Sequence, residues 1–423
     1  MRLSTTLRGL IPLFIGLAFG IQATGAIAQK PLSGITIRVL ASANPDTAAF
    51  RDVVAKAFAE QTGATVKFDM FPYGDMYNKE VLSFVGGQYD MYWVDQPWLR
   101  KFQKSGYLEP LDQYIKKYGV DMERFYPTLV KIATIEDHIY AIPATAKPVD
   151  FGYRKDVFDA KGIKVPKTWA ELLVNAKVLN DPAKRQYGFV MRTERGNPIC
   201  WTWMPILRAF GGEIFDKDMR PIFNSKEAIA SVEYMKALYQ YSMPGALSTD
   251  DVVNALANGE GLQTTMIATI WPGLDDPKAS KVVNLIEYAD MPTGPSGKRS
   301  GMVGFAPYAI SASSRPEVKD AAFQLLNFFM RDDIQRKLMV NSAWYPAMPA
   351  MYELPNVHRS KKLAGEALTY SEAPPLIPEA EEWFIITGTA LQDVLLNNKP
   401  AKEAMDEAVE KTRQMLQKAG YYK

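Results

Sequence analysis

Three stretches decide the fold class of this chain: Ile35-Thr36-Ile37-Arg38-Val39-Leu40, Ala64-Thr65-Val66-Lys67-Phe68-Asp69-Met70 and Tyr89-Asp90-Met91-Tyr92-Trp93-Val94. They are rich in β-branched and aromatic residues, the composition of strands. Between the first two, Pro45-Asp46 opens a helical pattern. Phe50, Val53, Val54, Ala57 and Phe58 recur at i, i+3, i+4, i+7 and i+8, and Gly63 closes it. A second helical stretch carries Met76, Val81, Leu82 and Val85 as its apolar positions and stops at Gly86-Gly87. Strand–helix–strand–helix–strand within about 60 residues predicts right-handed βαβ units and a parallel sheet.

Similar punctuation recurs downstream. Thr168-Trp-Ala-Glu171 is a capping box for a helix through about Leu179. Ser225 precedes a helix with Ile229, Val232, Met235 and Tyr239 inward. Pro316 suits a first helical turn ahead of the stripe Val318, Ala322, Leu325 and Phe329. Met405, Val409, Thr412 and Leu416 mark a last helix, closed by Gly420. No internal repeat or low-complexity tract stands out. The Pro-rich stretches Pro292–Gly301 and Glu372–Pro378 read as surface loops.

At about 150 residues per domain, 423 residues predict two domains. Apolar residues make up 47% and charged residues 23%, which argues against disorder. The net charge is +2, and Arg2 and Arg8 account for it, leaving 47 basic against 47 acidic residues beyond position 28. A neutral chain has no bulk bias toward nucleic acid. The one cysteine, Cys200, excludes an intramolecular disulfide and a multi-thiolate metal centre, and two histidines, His138 and His358, leave little for zinc. Residues 1–28 read as a cleaved secretory signal: a basic start, the short apolar run Leu10–Phe19, and Ala26-Ile27-Ala28 before Gln29. No cysteine stands at the cleavage site to take a lipid, so a periplasmic protein that is not a lipoprotein is expected.

Several motifs fail on their spacing. In Gly294-Pro-Ser-Gly297-Lys298-Arg299-Ser300 the glycines are three apart and Arg299 follows the lysine, so it is a turn rather than a phosphate loop. No G-x-S-x-G elbow is present. His138 falls in a hairpin turn leading into a strand, and Asp216-Lys217-Asp218 reads as a hairpin tip rather than a calcium loop. Cys200 reads as a buried small apolar residue. A glycosidase needs only two carboxylates at the right separation, and no local pattern nominates a pair. The aromatics point elsewhere. Trp93 with Asp95, Trp98, Trp201, Trp203, Trp271 and Trp344-Tyr345 stand at strand ends or in loops beside polar groups. Sugar C–H faces pack on such rings while carboxylates, amides and arginine bond to hydroxyls. Ordinary core packing is the competing reading for each ring.

The order of local blocks adds a resemblance. Gly87-Gln-Tyr-Asp90 with Trp98, Phe102, Gly106-Tyr-Leu108 and Pro110-Leu-Asp112 forms the first block. His138–Pro143, Tyr153–Phe158, Gly162, Pro166 and Thr168–Leu172 form the second, which is the most specific. Ala209–Glu213 with Asn224-Ser225 comes next, then Met291–Pro295, Gly301–Ile310 and Ala321–Arg331. Across nearly the whole mature chain this resembles the family 1 extracellular solute-binding proteins of bacterial ATP-driven sugar importers. One departure is Gly259-Glu-Gly-Leu-Gln-Thr-Thr-Met266, where the family usually has a Gly-x-Ala-Ala-Met-like run. The stretch Arg192–Trp203 looks more like members that take small sugars or sugar alcohols.

The resemblance implies a two-lobed α/β periplasmic binding protein of type II with a hinge and an interlobe ligand cleft. The expected lobes are 29–149 plus 309–340 and 150–308 plus 341–423, with crossings near Val149–Tyr153, Phe305–Ser311 and Met339–Trp344. The expected site takes Tyr73, Asp95 and Gln96 from one lobe and Arg192, Trp203, Trp271, Trp344 and Tyr345 from the other, with Asp95 and Trp271 facing each other. Two roles remain open for Asp95, hydroxyl acceptor or N-cap of the helix Pro97–Lys104, and Arg192 suits a surface ion pair equally well. The implied ligand is a sugar or sugar alcohol and the implied partner a transmembrane permease. A monomer without cofactor, metal or catalytic residue is expected. A receptor of the same fold for a phosphorylated polyol, polyamine or iron complex, and a secreted glycosidase, are the alternatives.

Overall fold

The computed structural model describes residues 30–341, 344–355 and 357–422; the expected leader 1–28 lies outside them, as does part of the third expected crossing. Strands β1 (Thr36–Ser42), β2 (Thr65–Phe71) and β3 (Met91–Trp93) pair in parallel, in the order β2-β1-β3. The helix between β1 and β2 starts at Pro45 and ends at Thr62, with a π-helical stretch, Phe50–Ala55, inside it. The Asn44 side chain accepts from Thr47 N–H at its start, and Gly63 closes it at φ 79°.

The helix between β2 and β3, Tyr73–Gly86, is rotated from the expected face. Met76, Glu80, Ser83 and Phe84 are buried, while Leu82 and Val85 are 73% and 76% exposed. Phe84 decides the rotation by stacking on Tyr92 at 3.9 Å and Tyr107 at 4.8 Å, which places Glu80 inward.

A short hairpin, β4 (Thr134–Ile135) and β5 (His138–Ile139), turns through Glu136 and Asp137 at φ 50° and 64°. The strand β6 (Ile142–Arg154) is the spine of the rest of the sheet. Its first half pairs antiparallel with β9 (Gly301–Ile310), from Ile142↔Tyr308 to Pro148↔Val303. Its second half pairs with β7 (Gln263–Ile267) and β8 (Ile286–Ala289). At its far end β9 pairs with β3, and at its near end with β10 (Ser371–Glu372). One eight-stranded sheet therefore runs through both halves of the protein, and β6 and β9 carry the chain across.

Two apolar cores flank this sheet. One packs Val39, Phe50, Tyr92, Tyr308 and Phe329 and continues into Met266, Trp271 and Tyr345. The other packs Phe151, Trp169, Trp203, Trp383 and Leu416. The local signals in this second half act as the sequence predicts. Thr168 and Glu171 close a capping box, Ser225 caps Lys226–Tyr239, and Met405, Val409, Thr412 and Leu416 face inward. Cys200 is buried.

Side chains alternate across a strand, so β6 sorts its surroundings onto two faces. Lys147 shares a face with its partner Gly304, where a Cβ would lie 2.5 Å from the Trp201 ring and 3.5 Å from Gln96 Oε1. Gly152 points the other way, where a Cβ would lie 2.8 Å from the Trp271 ring. Trp201 and Trp271 thus press onto opposite faces of the crossing strands, each against a residue that has no side chain.

Trp271 is fully buried against Gly152 and Tyr288, with ring centroids 5.1 Å apart in the latter pair. Trp271→Ala should therefore lower unfolding stability by about 3–5 kcal/mol, the cost of an emptied aromatic site. Chemical denaturation measures it; a midpoint unchanged from wild type would mean that the ring does not support the crossing.

Candidate functional site

The parallel strands end in a cluster of polar and aromatic groups. Asp95 follows β3 and divides its two oxygens: Oδ1 accepts from the Gln96 N–H at 2.9 Å, and Oδ2 accepts from the Tyr73 hydroxyl at 2.6 Å. Asp95 thus caps the helix with one oxygen and accepts from Tyr73 with the other. The backbone N–H of Phe305 donates to Gln96 Oε1 at 3.2 Å, which ties this loop to β9, while Gln96 Nε2 has no partner among the described residues. Tyr73 stands edge-on to Trp93 at 6.4 Å and stacks on Trp98 at 5.7 Å. Lys147 lies 5.2 Å over the Trp93 ring and 3.4 Å from Asp46 at the start of the first helix.

Arg192 precedes the helix Asn197–Ala209. Its backbone carbonyl accepts from Thr202 Oγ1 at 3.1 Å, and the next carbonyl, of Thr193, accepts from Gln392 Nε2 at 2.9 Å. The helix Ala380–Leu396 reaches this loop because Gly388 lets it approach Gly196 N, 2.4 Å from where a Cβ would stand. Arg192 is 5% exposed, and its Nε and Nη2 have no partner among the described residues. Burial lowers its guanidinium to about 10, opposed by Tyr73 and Glu194. Tyr73, at the start of the helix that follows β2, is thus close enough to influence Arg192. Trp201 Nε1 and Trp93 Nε1 are likewise buried and without a partner among the described residues.

Electrostatics set the carboxyl groups apart. Burial raises Asp95 above the usual carboxylate range, opposed by Tyr73, Lys147 and the Gln96 N–H. Burial together with Asp95 raises the Tyr73 hydroxyl well above its ordinary value. Glu80, on the same helix as Tyr73, is fully buried with both oxygens unpartnered among the described residues, and burial and Asp95 hold it well above the usual range.

Tyr73, Asp95, Gln96 and Arg192 come together as expected from the sequence, but the other four named residues do not join them. Trp203 is fully buried in the second core, where its Nε1 donates to Ser231 Oγ at 2.9 Å. Trp344 packs edge-on against Phe329 at 5.3 Å and donates to Gln335 Oε1. Tyr345 is fully buried, its hydroxyl 2.7 Å from Ser360 Oγ. Trp271 lies on the opposite face of β6, beside the buried carboxyl of Asp150, so it does not face Asp95. For these rings core packing prevails. Trp93, Trp98 and Trp201 stand out in the sequence as aromatics beside polar groups, but not as site residues, and Lys147 and Glu381 do not stand out at all. For Glu381, 283 residues from its partner Trp98, no local signal exists.

Buried donors without a partner among the described residues and a carboxylate, framed by indole and phenol rings between two lobes crossed by β6 and β9, define a two-lobed α/β solute-binding protein. The chain belongs to the family of bacterial extracellular solute-binding proteins, which it matches over residues 41–336. It is 26% identical to a probable amino-acid ABC transporter periplasmic-binding protein of Sinorhizobium fredii, over 95% of this chain and 94% of that one. It is 29% identical to the mannitol-binding protein of Pseudomonas aeruginosa, over 56% of this chain and 55% of that one. An ABC transporter solute-binding protein from Agrobacterium radiobacter K84, solved in complex with ribitol, superposes with a TM-score of 0.83 at 28% identity, covering 91% of this chain and 100% of that one. No described helix is long and apolar enough to cross a membrane.

The raised Asp95 carboxyl predicts two opposite pH dependences. A hydroxyl ligand donates to the carboxylate, so affinity should be full above its raised pKa and fall as acid protonates it, starting above the ordinary 3.8. The unliganded protein should instead lose stability as pH rises through that same value, because the folded state favours the neutral acid. Asp95→Asn should weaken binding, flatten both profiles and leave the unfolding midpoint at neutral pH equal or higher. Calorimetric titration and denaturation across pH 4 to about 7 check this.

Proposed function

We propose that this protein is the periplasmic receptor of an ABC importer, capturing a small sugar or sugar alcohol between its lobes and delivering it to the membrane permease. The observation that carries the reading is the split site. Asp95 with Tyr73 on one lobe accepts hydroxyl protons, while Arg192 on the other donates as a fork, with Trp93 and Trp201 offering ring faces and N–H groups. Only a closed cleft makes both sets of contacts, so ligand binding favours closure. Support also comes from the ribitol complex and the mannitol-binding relative, both small polyol binders.

The protein acts as a binding protein and not as an enzyme, a reading supported by relatives that are named as binding proteins. It works as a monomer, without nucleic acid, after removal of residues 1–28. The lobes comprise 29–149 plus 309–340 and 150–308 plus 341–423. The hinge lies where β6 exchanges β9 for β7, between Pro148 and Val149.

A thermal-shift screen of ribitol, mannitol, hexoses, disaccharides and amino acids tests the reading. A ligand at 100 times its dissociation constant adds about 2.7 kcal/mol of stability, which raises the melting temperature visibly. A response to polyols or monosaccharides is expected. A response to amino acids alone, or the appearance of hydrolysis product from an oligosaccharide, would overturn it.

A further inference from the structure

The lobes also touch outside the ligand contacts. Trp98, in the helix Gln96–Lys104 of the first lobe, donates its Nε1–H to Glu381 Oε2 at 3.0 Å. Glu381 stands in the first turn of the helix Ala380–Leu396 of the second lobe. The indole is 3% exposed and held from two sides, stacked by Tyr73 at 5.7 Å and met edge-on by Tyr77 at 5.4 Å. Tyr73 is also the donor to Asp95. The carboxylate is fixed just as firmly, since its helix is seated on Gly196 through Gly388 and holds the Thr193 carbonyl beside Arg192 through Gln392. One end of the bridge is therefore on the helix that Asp95 caps, and the other on the helix that holds the loop of Arg192.

We propose that the Trp98–Glu381 hydrogen bond is a latch across the cleft, with Glu381 as a positioning residue that holds the closed state and limits the length of ligand admitted. This rests on the reading of the cleft as a sugar or polyol site. The floor of that site is Gly304, covered by Trp201 and Gln96. The latch closes the side beyond Tyr73. A linear polyol or single sugar ring fits between floor and latch, whereas a chain of sugar units extending past Tyr73 has to displace the indole from the carboxylate. Glu381 works against a like charge, because Asp95 lies close enough to influence it, and Tyr73, Tyr77 and Cys200 are its other titratable neighbours. Ligand hydroxyls at Asp95 ease that repulsion as the latch forms.

Four probes, ribitol, mannitol, maltose and maltotriose, are titrated against wild type, Trp98→Phe, Glu381→Ala, Glu381→Gln and the double variant Trp98→Phe/Glu381→Ala. Trp98→Phe keeps a stacking ring and removes the donor. Each single loss should weaken polyol binding about tenfold, the weight of one charge-assisted hydrogen bond. The loss should appear in the dissociation rate with association unchanged. The double variant should lose no more than either single variant, and Glu381→Gln, which retains an acceptor oxygen, should recover most of the affinity. The preference for polyol over maltotriose should narrow in every variant that breaks the latch.

Labels on Val85→Cys and Val178→Cys, exposed positions of opposite lobes, report closure while the buried Cys200 stays unlabelled. Without ligand, Glu381→Ala should shift the interlobe distances toward longer separations. Additive losses in the double variant, unchanged dissociation rates, or Glu381→Gln as damaging as Glu381→Ala would overturn the latch. If no probe binds wild type, the sugar or polyol reading fails. The unliganded distances then decide the latch alone, and identical distributions in wild type and Glu381→Ala overturn it.

Discussion

The antiparallel pairing of β6 with β9 is the constraint on which the rest depends. The chain goes out along β6 and returns along β9, and β6 leaves β9 after Pro148 and takes up β7 from Val149, all within one sheet. A strand cannot move one of its faces without moving the other. Gly304 and Gly152 remove the side chain at one position on each face, and an indole, Trp201 or Trp271, fills each gap. On the Trp201 face the lobes leave room for polar groups to converge. On the Trp271 face Tyr288, Tyr345 and the helix Ser360–Tyr370 fill the space with core packing. The candidate site lies on one face of the crossing strands because core packing fills the other.

The electrostatics depend on that partition. Arg192 is buried, Asp95 is half-buried, and Tyr73 lies close enough to influence both. Burial lowers the guanidinium to about 10 and raises the carboxyl, so each charge is carried at a cost. Hydroxyl groups, which donate and accept at once, relieve both costs together. Closure is thereby coupled to ligand chemistry rather than to apolar contact alone.

The first lobe is largely legible in the sequence because its signals are local. Asn44, Gly63 and the alternating strands around Val39 and Phe68 act within a few residues, and the parallel order β2-β1-β3 agrees with βαβ geometry. The rotation of the helix Tyr73–Gly86 is not legible, because Leu82 and Val85 are apolar and Glu80 is charged, yet Glu80 is the residue that faces inward. Only the stacking of Phe84 on residues from distant segments decides that rotation. In the site, Tyr73, Asp95 and Gln96 are legible as the loop ends of parallel strands. Trp203, Trp271 and Trp344 carry the same local appearance as Trp93 and Trp201, and sequence has no measure of which face of a distant strand a ring will meet. Glu381 is invisible for the same reason.

Ligand binding on the Trp201 face of the crossing strands is the point on which the functional reading turns. A crystal structure of the protein with ribitol or mannitol tests it most directly. Hydroxyl groups are expected within hydrogen-bonding distance of Asp95 Oδ2 and of the Arg192 guanidinium, with the carbon chain between Trp93 and Trp201. A ligand seated instead beside Asp150 and Trp271, on the other face of β6, would contradict it.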